Sequence, residues 1–484
     1  MGKPKKGKAK GKGKGKGGKG KGGGSNAGGW KGSGGGAAQV WRAGLDPIED
    51  GEELDYDRTA YLCLQSFRLS WPCLSFDVVR DGLGDARDGF PVECYMAAGT
   101  QANDPNNNGV TLARLANVGQ GRHGPKPGGG ASAMDEDGDE SSSSDDDSDS
   151  EDEGSRPSFS SVEIHHRGAI NRVRALNAAE GDGTLVATWG ETGHVQVWDM
   201  TAHVRALPTQ RSKMKQVHQS PVHIVQHSME GYALDWSRDP SGGARLLTGD
   251  CKGQLLLSTS PDGAAWTTER EAFIGHEGSV EDLQWSPSEA TVFASSSVDQ
   301  HVKIWDTRQR AKPGLSYKAH DCDVNVISWN RLTSCMVASG GDDGTMRIWD
   351  MRYIANGQYV ANFDYCKGAV TSIEWSPWEA SVLATSSADD QICFWDLSVE
   401  RDAAEEMALA GEGPGEGEGE GGGGGEGGEF GSAGVAIPKD IPPQLLFVHQ
   451  GQHTIKEVHW HPQIKSMVLS TAYDGFNVFR PTNI

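Results

Sequence analysis

From about residue 61 onward the chain is written in short runs of alternating apolar and polar residues, punctuated by Gly, Pro, Asp, Asn and Ser. Val302-Lys303-Ile304-Trp305 is one such run. A period of two turns every second side chain to one face, which is the pattern of a half-buried β-strand. The runs end on tryptophan at two recurring places. Trp198-Asp199, Trp305-Asp306, Trp349-Asp350 and Trp395-Asp396 close one series, while Trp236, Trp285, Trp329, Trp375 and Trp460 end the run that opens each unit. Val280–Trp285 is followed by Ser286-Pro287, and Val370–Trp375 by Ser376-Pro377. The units recur about every 45 residues, except that the last interval is 85, because a Glu/Gly-rich block is inserted there. Four short strands with turns between them, repeated at this period, make the blades of a propeller.

Six units fit between about residue 167 and residue 484, and a propeller must close. Residues 61–118 supply what is missing: Tyr61–Leu69, Trp71–Val79, Val92–Gln101 and Val110–Asn117 each read as a strand. The expected fold is therefore all-β, a seven-bladed WD-repeat β-propeller with disordered charged segments. Residues 45–118 form the N-terminal segment and first blade, 160–398 the repeat blades and 445–484 the last blade. Tyr61–Leu69 is expected to be the outer strand of the blade formed by the C-terminus, so that no sheet edge is left open.

Single positions recur with the blades. Asp343 lies six residues before Trp349 and Ser339 ten before it, with His320 opening the unit; the same offsets give Asp299, Ser295 and His276 before Trp305. In WD-repeat proteins this quartet is a buried hydrogen-bond network, and a buried imidazole and carboxylate are tolerable only when they satisfy each other. The unit ending at Trp395 keeps Asp389 and Thr385, but Cys366 stands in for the histidine, and the units near Trp198 and Ser258 are more degenerate. His, Asp and Ser repeated at fixed spacing, with no Gly-x-Ser-x-Gly elbow, argue for structure rather than a hydrolase triad. No catalytic, cofactor-binding or metal-binding residue is expected, and His165-His166 and His459-Trp460-His461 read as strand ends rather than metal ligands.

Charge changes the picture outside the repeats. The net charge of −22 hides a segregation: residues 1–45 hold eleven Lys, Arg42 and no acid, about +12, which leaves about −34 for the rest. Three spans cannot bury enough apolar surface to fold: a Lys/Gly-rich tail at 1–44, an acidic insertion at 119–159, and a Glu/Gly-rich insertion with a Pro-Pro loop at 399–444. Twelve of the nineteen positions from Asp135 to Glu153 are acids: Asp135, Glu136, Asp137, Asp139, Glu140, Asp145, Asp146, Asp147, Asp149, Glu151, Asp152 and Glu153. Such a polyanion suits a Lys/Arg-rich client, the alternative being a solubilising linker. Ser142, Ser143, Ser144, Ser148 and Ser150 each have an acid three residues later, the pattern of acidophilic kinase sites, where phosphate would add further negative charge. The basic tail can address the nucleus, bind RNA phosphates or mask the acidic segments; without aromatics before Trp30 it is not a base reader. Eight scattered cysteines without a Cys-x-x-Cys pair suit a reducing compartment. No apolar run is long enough to cross a bilayer, and the N-terminus has neither the apolar stretch of a secretory signal nor the myristoylation pattern, because Lys6 replaces the required Ser or Thr.

Several stretches outside the repeat positions are specific enough to point to a family. Trp71–Asp77 (WPCLSFD), Ala98–Ala102 (AGTQA), Gly231–Ser237 (GYALDWS), Ser279–Pro287 (SVEDLQWSP), Val324–Trp329 (VNVISW) and Gln444–Gly451 (QLLFVHQG) closely resemble the glutamate-rich WD-repeat proteins. The likeness runs from residue 45 to residue 484, including the acidic run between the third and fourth strands of the first blade. The resemblance implies a monomeric nucleolar factor of 60S assembly, a chaperone that holds one basic ribosomal protein, the third of the large subunit, and meets pre-60S particles. It also implies a kinship with histone-binding propellers, hence a histone chaperone as an alternative. Those propellers grip a histone helix between an N-terminal helix and an acidic Pro-Pro loop. The matching positions here are Asp440-Ile441-Pro442-Pro443 with Leu445, Leu446 and Phe447, and a short acidic candidate helix at Ile48–Tyr56. A third reading, a substrate receptor of a cullin-type ubiquitin ligase, rests on Trp305-Asp306-Thr307-Arg308 and Trp349-Asp350-Met351-Arg352.

Overall fold

A computed structural model describes residues 58–119, 157–176, 183–209, 214–238, 240–261, 265–354, 357–399 and 441–484. These residues form seven β-sheets, each a blade, with one short helix, Thr201–Ala206, among them. Blade 1 holds Cys73–Val79, Val92–Thr100, Gly109–Val118 and Ser158–His165, with Met214–Val217 added in parallel outside. Blade 2 is Ile170–Leu176, Leu185–Gly190, His194–Asp199 and His223–Gln226. Blade 3 is Ala233–Arg238, Ala244–Gly249 and Gln254–Ser260, edged by Thr267–Thr268 and Phe273–Ile274. Blade 4 is Val280–Trp285, Val292–Ser297, His301–Asp306 and Leu315–Lys318, and blade 5 is Val324–Trp329, Met336–Gly341, Met346–Asp350 and Ala361–Phe363.

Blade 6 corrects one boundary. Leu445–His449, expected to open the last blade, instead pairs with Gln391–Asp396 as the outer strand of blade 6, beyond Val370–Trp375 and Val382–Ser387. The Glu/Gly-rich block therefore interrupts a blade between its third and fourth strands, as the acidic block does in blade 1. Blade 7 is Ile455–Trp460, Val468–Ala472 and Gly475–Pro481, and its outer strand is Tyr61–Phe67, antiparallel to Gly475–Pro481 with Phe67 opposite Phe476.

The alternation seen in the sequence builds the core. Seven apolar clusters form, each shared by two neighbouring blades. The cluster between blades 7 and 1 joins Cys63 and Phe67 of the closing strand to Phe76, Val78, Cys94 and Met96 of blade 1 and Leu469, Phe476 and Val478 of blade 7. Phe67 lies flat on Phe476 with ring centroids 5.1 Å apart, and it also meets Phe159 at 5.4 Å. Tyr61 donates or accepts a 2.7 Å hydrogen bond with His449 Nδ1 and meets Phe447 edge-on at 5.3 Å, so the closing strand also fastens onto blade 6.

Removing a buried Phe ring leaves a cavity worth about 3–5 kcal/mol in a packed core. Phe67→Ala is expected to weaken the fold by that amount, seen as a lowered denaturation midpoint, and a chain starting after Phe67 is expected to lose its cooperative thermal transition. Calorimetric profiles that match the full chain in both cases would contradict closure by this strand.

Candidate functional site: channel, ring seam and insertion anchors

The inner strand of each blade has a sheet neighbour on one side only, so N–H groups on its other edge would face a wet channel unpaired. Polar side chains from the preceding blade accept them. Asp77 Oδ2 takes Ala175 N–H at 2.7 Å, Asp235 Oδ2 takes Trp285 N–H at 2.7 Å, and Gln284 Oε1 takes Trp329 N–H at 2.7 Å. Ser328 Oγ accepts from Trp375 N at 3.3 Å, Glu374 Oε2 from Trp460 N at 3.2 Å, and Glu457 Oε2 from Phe76 N at 2.9 Å. Indole N–H groups add a second clasp: Trp236 donates to Arg174 O at 2.9 Å, Trp375 to Ser328 O at 3.0 Å and Trp460 to Glu374 O at 3.0 Å. The residue before each inner-strand tryptophan is Asp235, Gln284, Ser328, Glu374 or His459, polar every time, a repeated signal that the sequence reading passed over.

Several of these groups meet in a channel cavity of about 300 Å³. Arg172 of blade 2 crosses it, pairing with Glu457 Oε1 of blade 7 at 2.6 Å and donating to Tyr232 O at 2.8 Å and Glu281 O of blade 4 at 3.2 Å. Arg174 also reaches Glu457 Oε1, at 3.2 Å. His459, read from the sequence as a strand end, instead bridges carboxylates: Nδ1 lies 2.8 Å from Glu374 Oε2 and Nε2 3.4 Å from Glu457 Oε2. Burial opposes charge on both residues, but their neighbours outweigh it. Arg174, His459 and Arg172 hold Glu457 well below the usual carboxylate range, and Glu374 and Glu457 lift His459 to about 10. Asp235 behaves differently: burial, only partly offset by the N–H groups of Trp285 and Trp236, raises its carboxyl to about 7. The cluster thus holds opposite charges against one another across the channel.

The histidine quartets lie at the blade margins. His276 Nδ1 is 2.8 Å from Asp299 Oδ2, its Nε2 is 2.6 Å from Ser295 Oγ, and Trp305 Nε1 donates to Ser295 Oγ at 2.8 Å. In blade 5 His320 Nε2 is 2.8 Å from Ser339 Oγ, and Trp349 donates to the same oxygen at 2.9 Å. The expected His320–Asp343 contact is opened to 3.8 Å, because the Thr345 hydroxyl stands between them, 3.1 Å from Nδ1 and 2.7 Å from Asp343 Oδ1. In blade 6 Trp395 donates to Thr385 Oγ1 at 3.0 Å, while Asp389 accepts from Lys367 N at 2.7 Å beside Cys366. Blade 3, set aside as degenerate, carries a triad of its own: His227 lies 3.2 Å from Asp250 and 2.7 Å from Thr248, with Trp189 of blade 2 packed on its ring. The His-to-Asp interval of 23 residues, the same as between His276 and Asp299, marks it in the sequence.

Of the expected partner-binding residues, Leu445 and Phe447 lie in the outer strand of blade 6, half-buried. Leu445 packs towards blades 5 and 6, Phe447 towards blades 6 and 7. Asp440, the acids from Asp135 to Glu153, the serines from Ser142 to Ser150, the Lys/Gly tail and Ile48–Tyr56 lie outside the described residues. Their anchors do not. Val118, where the acidic insertion departs, is paired with Val92, and Ser158, just after its end, with Ala116. Asp396, before the Glu/Gly insertion, is paired with Val382, and Leu445, after it, with Trp395. These are the ends of the blades at which the inner strands Cys73–Val79 and Val370–Trp375 finish, so both insertions leave the ring on one side, the side of Arg331 and Pro377 at the cavity. Arg308 and Arg352 are exposed, each forked onto its own Asp306 or Asp350.

Residues 51–118, which span the closing strand and most of blade 1, match the family model of the histone-binding protein RBBP4, a component of the CAF1 complex. Residues 267–306, 311–350 and 357–396 match the WD domain, G-beta repeat. A glutamate-rich WD repeat-containing protein 1 from Dictyostelium discoideum is 42% identical over 449 residues, 93% of this chain and 86% of the relative. The chain belongs to the glutamate-rich WD-repeat family. Within the same span, Protein HEAT STRESS TOLERANT DWD 1 of Arabidopsis thaliana is 48% identical over 454 residues, 92% of each chain. Ribosome assembly protein rrb1 of Schizosaccharomyces pombe is 38% identical over 442 residues, 90% of this chain and 82% of its own.

In this member of the family the channel cluster gives stability a pH signature. His459 has a folded value of about 10, above its ordinary 6.5, so its contribution is full below pH 6.5 and is lost as pH rises towards 10. Glu457 is held below its ordinary 4.5, so its contribution is present above that pH and lost on acidification. Breaking a buried pair by removing one partner is worth about 3–5 kcal/mol. His459→Gln is therefore expected to destabilise by that order near pH 6 and by progressively less towards pH 10. Denaturant titrations across this range check it; a pH-independent difference would contradict the charged cluster.

Proposed function

We propose that the protein is a ribosome-assembly factor that holds a basic protein of the large subunit, the third by the family resemblance, until it joins the pre-60S particle in the nucleolus. The observation that carries this reading is the similarity over 442 residues to a relative whose name is ribosome assembly protein. The physical side is charge. A ribosomal protein bears Lys/Arg-rich extensions made for RNA, and before assembly they bind RNA wrongly or aggregate. The twelve acids between Asp135 and Glu153 are spaced to occupy such extensions. Each contact is weak and screened beyond about 8 Å at physiological salt, so the hold is strong in sum yet yields to rRNA, a denser polyanion. The ring supports the polyanion and, through less repetitive surfaces such as the seam around Leu445 and Phe447, supplies selectivity.

A second reading, a histone chaperone, is favoured by one observation: the family model matched by residues 51–118 is that of a histone-binding protein. Histone tails offer the same charge to the same polyanion, so the two readings differ in client and not in physics.

Affinity purification of the full chain with RNase treatment separates them. Recovery of one basic large-subunit protein in near-equal amount is expected. Histones in its place would move the assignment to the second reading, and recovery of neither would remove both. Deleting residues 135–153 is expected to slow client capture on the order of tenfold at low salt and to flatten its salt dependence, as measured by association kinetics. Unchanged kinetics would make the acidic run a solubilising linker.

A further inference from the structure

One blade departs from its siblings in a way the fold does not require. In blade 4 the residue two after His276 is Gly278 and the residue two after Ser295 is Ser297; blade 6 keeps this arrangement with Gly368 and Ser387. Blade 5 reverses it, with Cys322 two after His320 and Gly341 two after Ser339. Exchanging glycine and side chain alone would conserve volume. The exchange also gathers three donor atoms of different kinds. His320 Nδ1 and Asp343 Oδ1 stand 3.8 Å apart, and these two atoms and Cys322 Sγ all lie within 4.8 Å of one another. A Cβ on Gly341 would be pressed to 2.7 Å from His320 Nδ1, 2.8 Å from Asp343 Oδ1 and 3.0 Å from Cys322 Sγ, so glycine keeps their convergence clear.

We propose that His320, Cys322 and Asp343 form a binding site for a first-row divalent cation, with zinc the best fit. Bonds of roughly 2.0–2.3 Å arranged tetrahedrally separate ligands by about 3.3–3.8 Å, so the observed spacing needs only a small contraction. One thiolate, one imidazole and one carboxylate are a borderline-soft set that suits zinc rather than magnesium or calcium. His320 is oriented for it: Nε2 is held by Ser339 Oγ at 2.8 Å, which leaves Nδ1 facing the other two donors. Burial lowers the imidazole to about 4, so it is neutral and able to donate its lone pair at neutral pH. The Thr345 hydroxyl, which bridges His320 and Asp343, stays within reach of the carboxylate as an outer-shell partner once a cation takes its place. Asp343 is about one-third exposed, so a fourth position remains for water and the cation has a path in. In blade 4 the corresponding His276 and Asp299 close on each other at 2.8 Å, which is why the same quartet does not form a second site there.

All eight cysteines lie among the described residues, five of them buried, so a thiolate–metal signal can be traced to its source. Metal-free full-length protein is titrated with Co²⁺ as the spectroscopic probe and then with Zn²⁺ as competitor. One equivalent of Co²⁺ is expected to produce a thiolate-to-cobalt charge-transfer band, which Zn²⁺ abolishes. Cys322→Ser is expected to remove the band and weaken Zn²⁺ binding roughly tenfold or more. Gly341→Ala, which keeps all three donors and fills the space between them, is expected to do the same. Cys251→Ser and Cys335→Ser, at the other half-exposed cysteines, are expected to keep it. Circular dichroism of each variant confirms that the ring is folded. Absence of the band in the parent protein, its survival in Cys322→Ser, or its loss in Cys335→Ser overturns the assignment.

Discussion

Every inner strand of this ring is an edge strand facing a hole, and the structure depends on how its N–H groups are satisfied. An unpaired backbone donor at a poorly hydrated edge costs about as much as a lost hydrogen bond, and seven strands present such edges together. The solution is serial: one acceptor on an inner strand takes the N–H of the next, as Asp235 does for Trp285 and Gln284 for Trp329. Because each acceptor belongs to the preceding blade, satisfying the edge and joining the blades are one interaction. The apolar clusters between blades then pack against a geometry that this clasp has already set.

At six of the seven junctions the covalent chain also runs from one inner strand to the next; between blade 7 and blade 1 it does not. That junction carries the densest polar bracing. Glu457 of blade 7 takes the N–H of Phe76 and the hydroxyl of Ser75 from blade 1, and pairs with Arg172 and Arg174 from blade 2. A buried ion pair seldom adds net stability over apolar packing. Its use here is positional: carboxylate, guanidinium and imidazolium are satisfied only when blades 6, 7, 1 and 2 stand in one arrangement. The outer half of the junction is closed by Tyr61–Phe67 through aromatic stacking, so charge secures the inside of the ring and ring packing the outside.

The parts legible in the sequence are those the repeat writes more than once. Trp305 and Trp349, with Ser295 and Ser339 ten residues earlier, could be found by counting, and counting blades sent Tyr61 to the C-terminal sheet. The channel cluster was not legible, because Arg172, Arg174, Glu374, Glu457 and His459 come singly from different blades and meet only after closure. His227 escaped because Ser258 occupies the place of the blade's tryptophan, which removed the landmark for counting but not the hydrogen bonds to Asp250 and Thr248. Leu445–His449 was misassigned because the Glu/Gly insertion separates it from Gln391–Asp396, and strand pairing ignores sequence distance once the loop is closed.

That indifference to loop length explains where the charged insertions sit. Lengthening a flexible loop raises its closure entropy slowly, about 0.6 kcal/mol for each doubling. Both insertions join the third and outer strands of a blade, where only one strand pairing spans the gap: Gly109–Val118 with Ser158–His165, and Gln391–Asp396 with Leu445–His449. An outer strand gives no N–H to the channel and no acceptor to the next blade. An insertion of the same length beside an inner strand would loosen a residue such as Asp77 or Glu374, on which the N–H of the neighbouring blade depends. The outer loops are therefore the positions where a polyanion can grow in length and charge while the clasp that closes the ring stays intact.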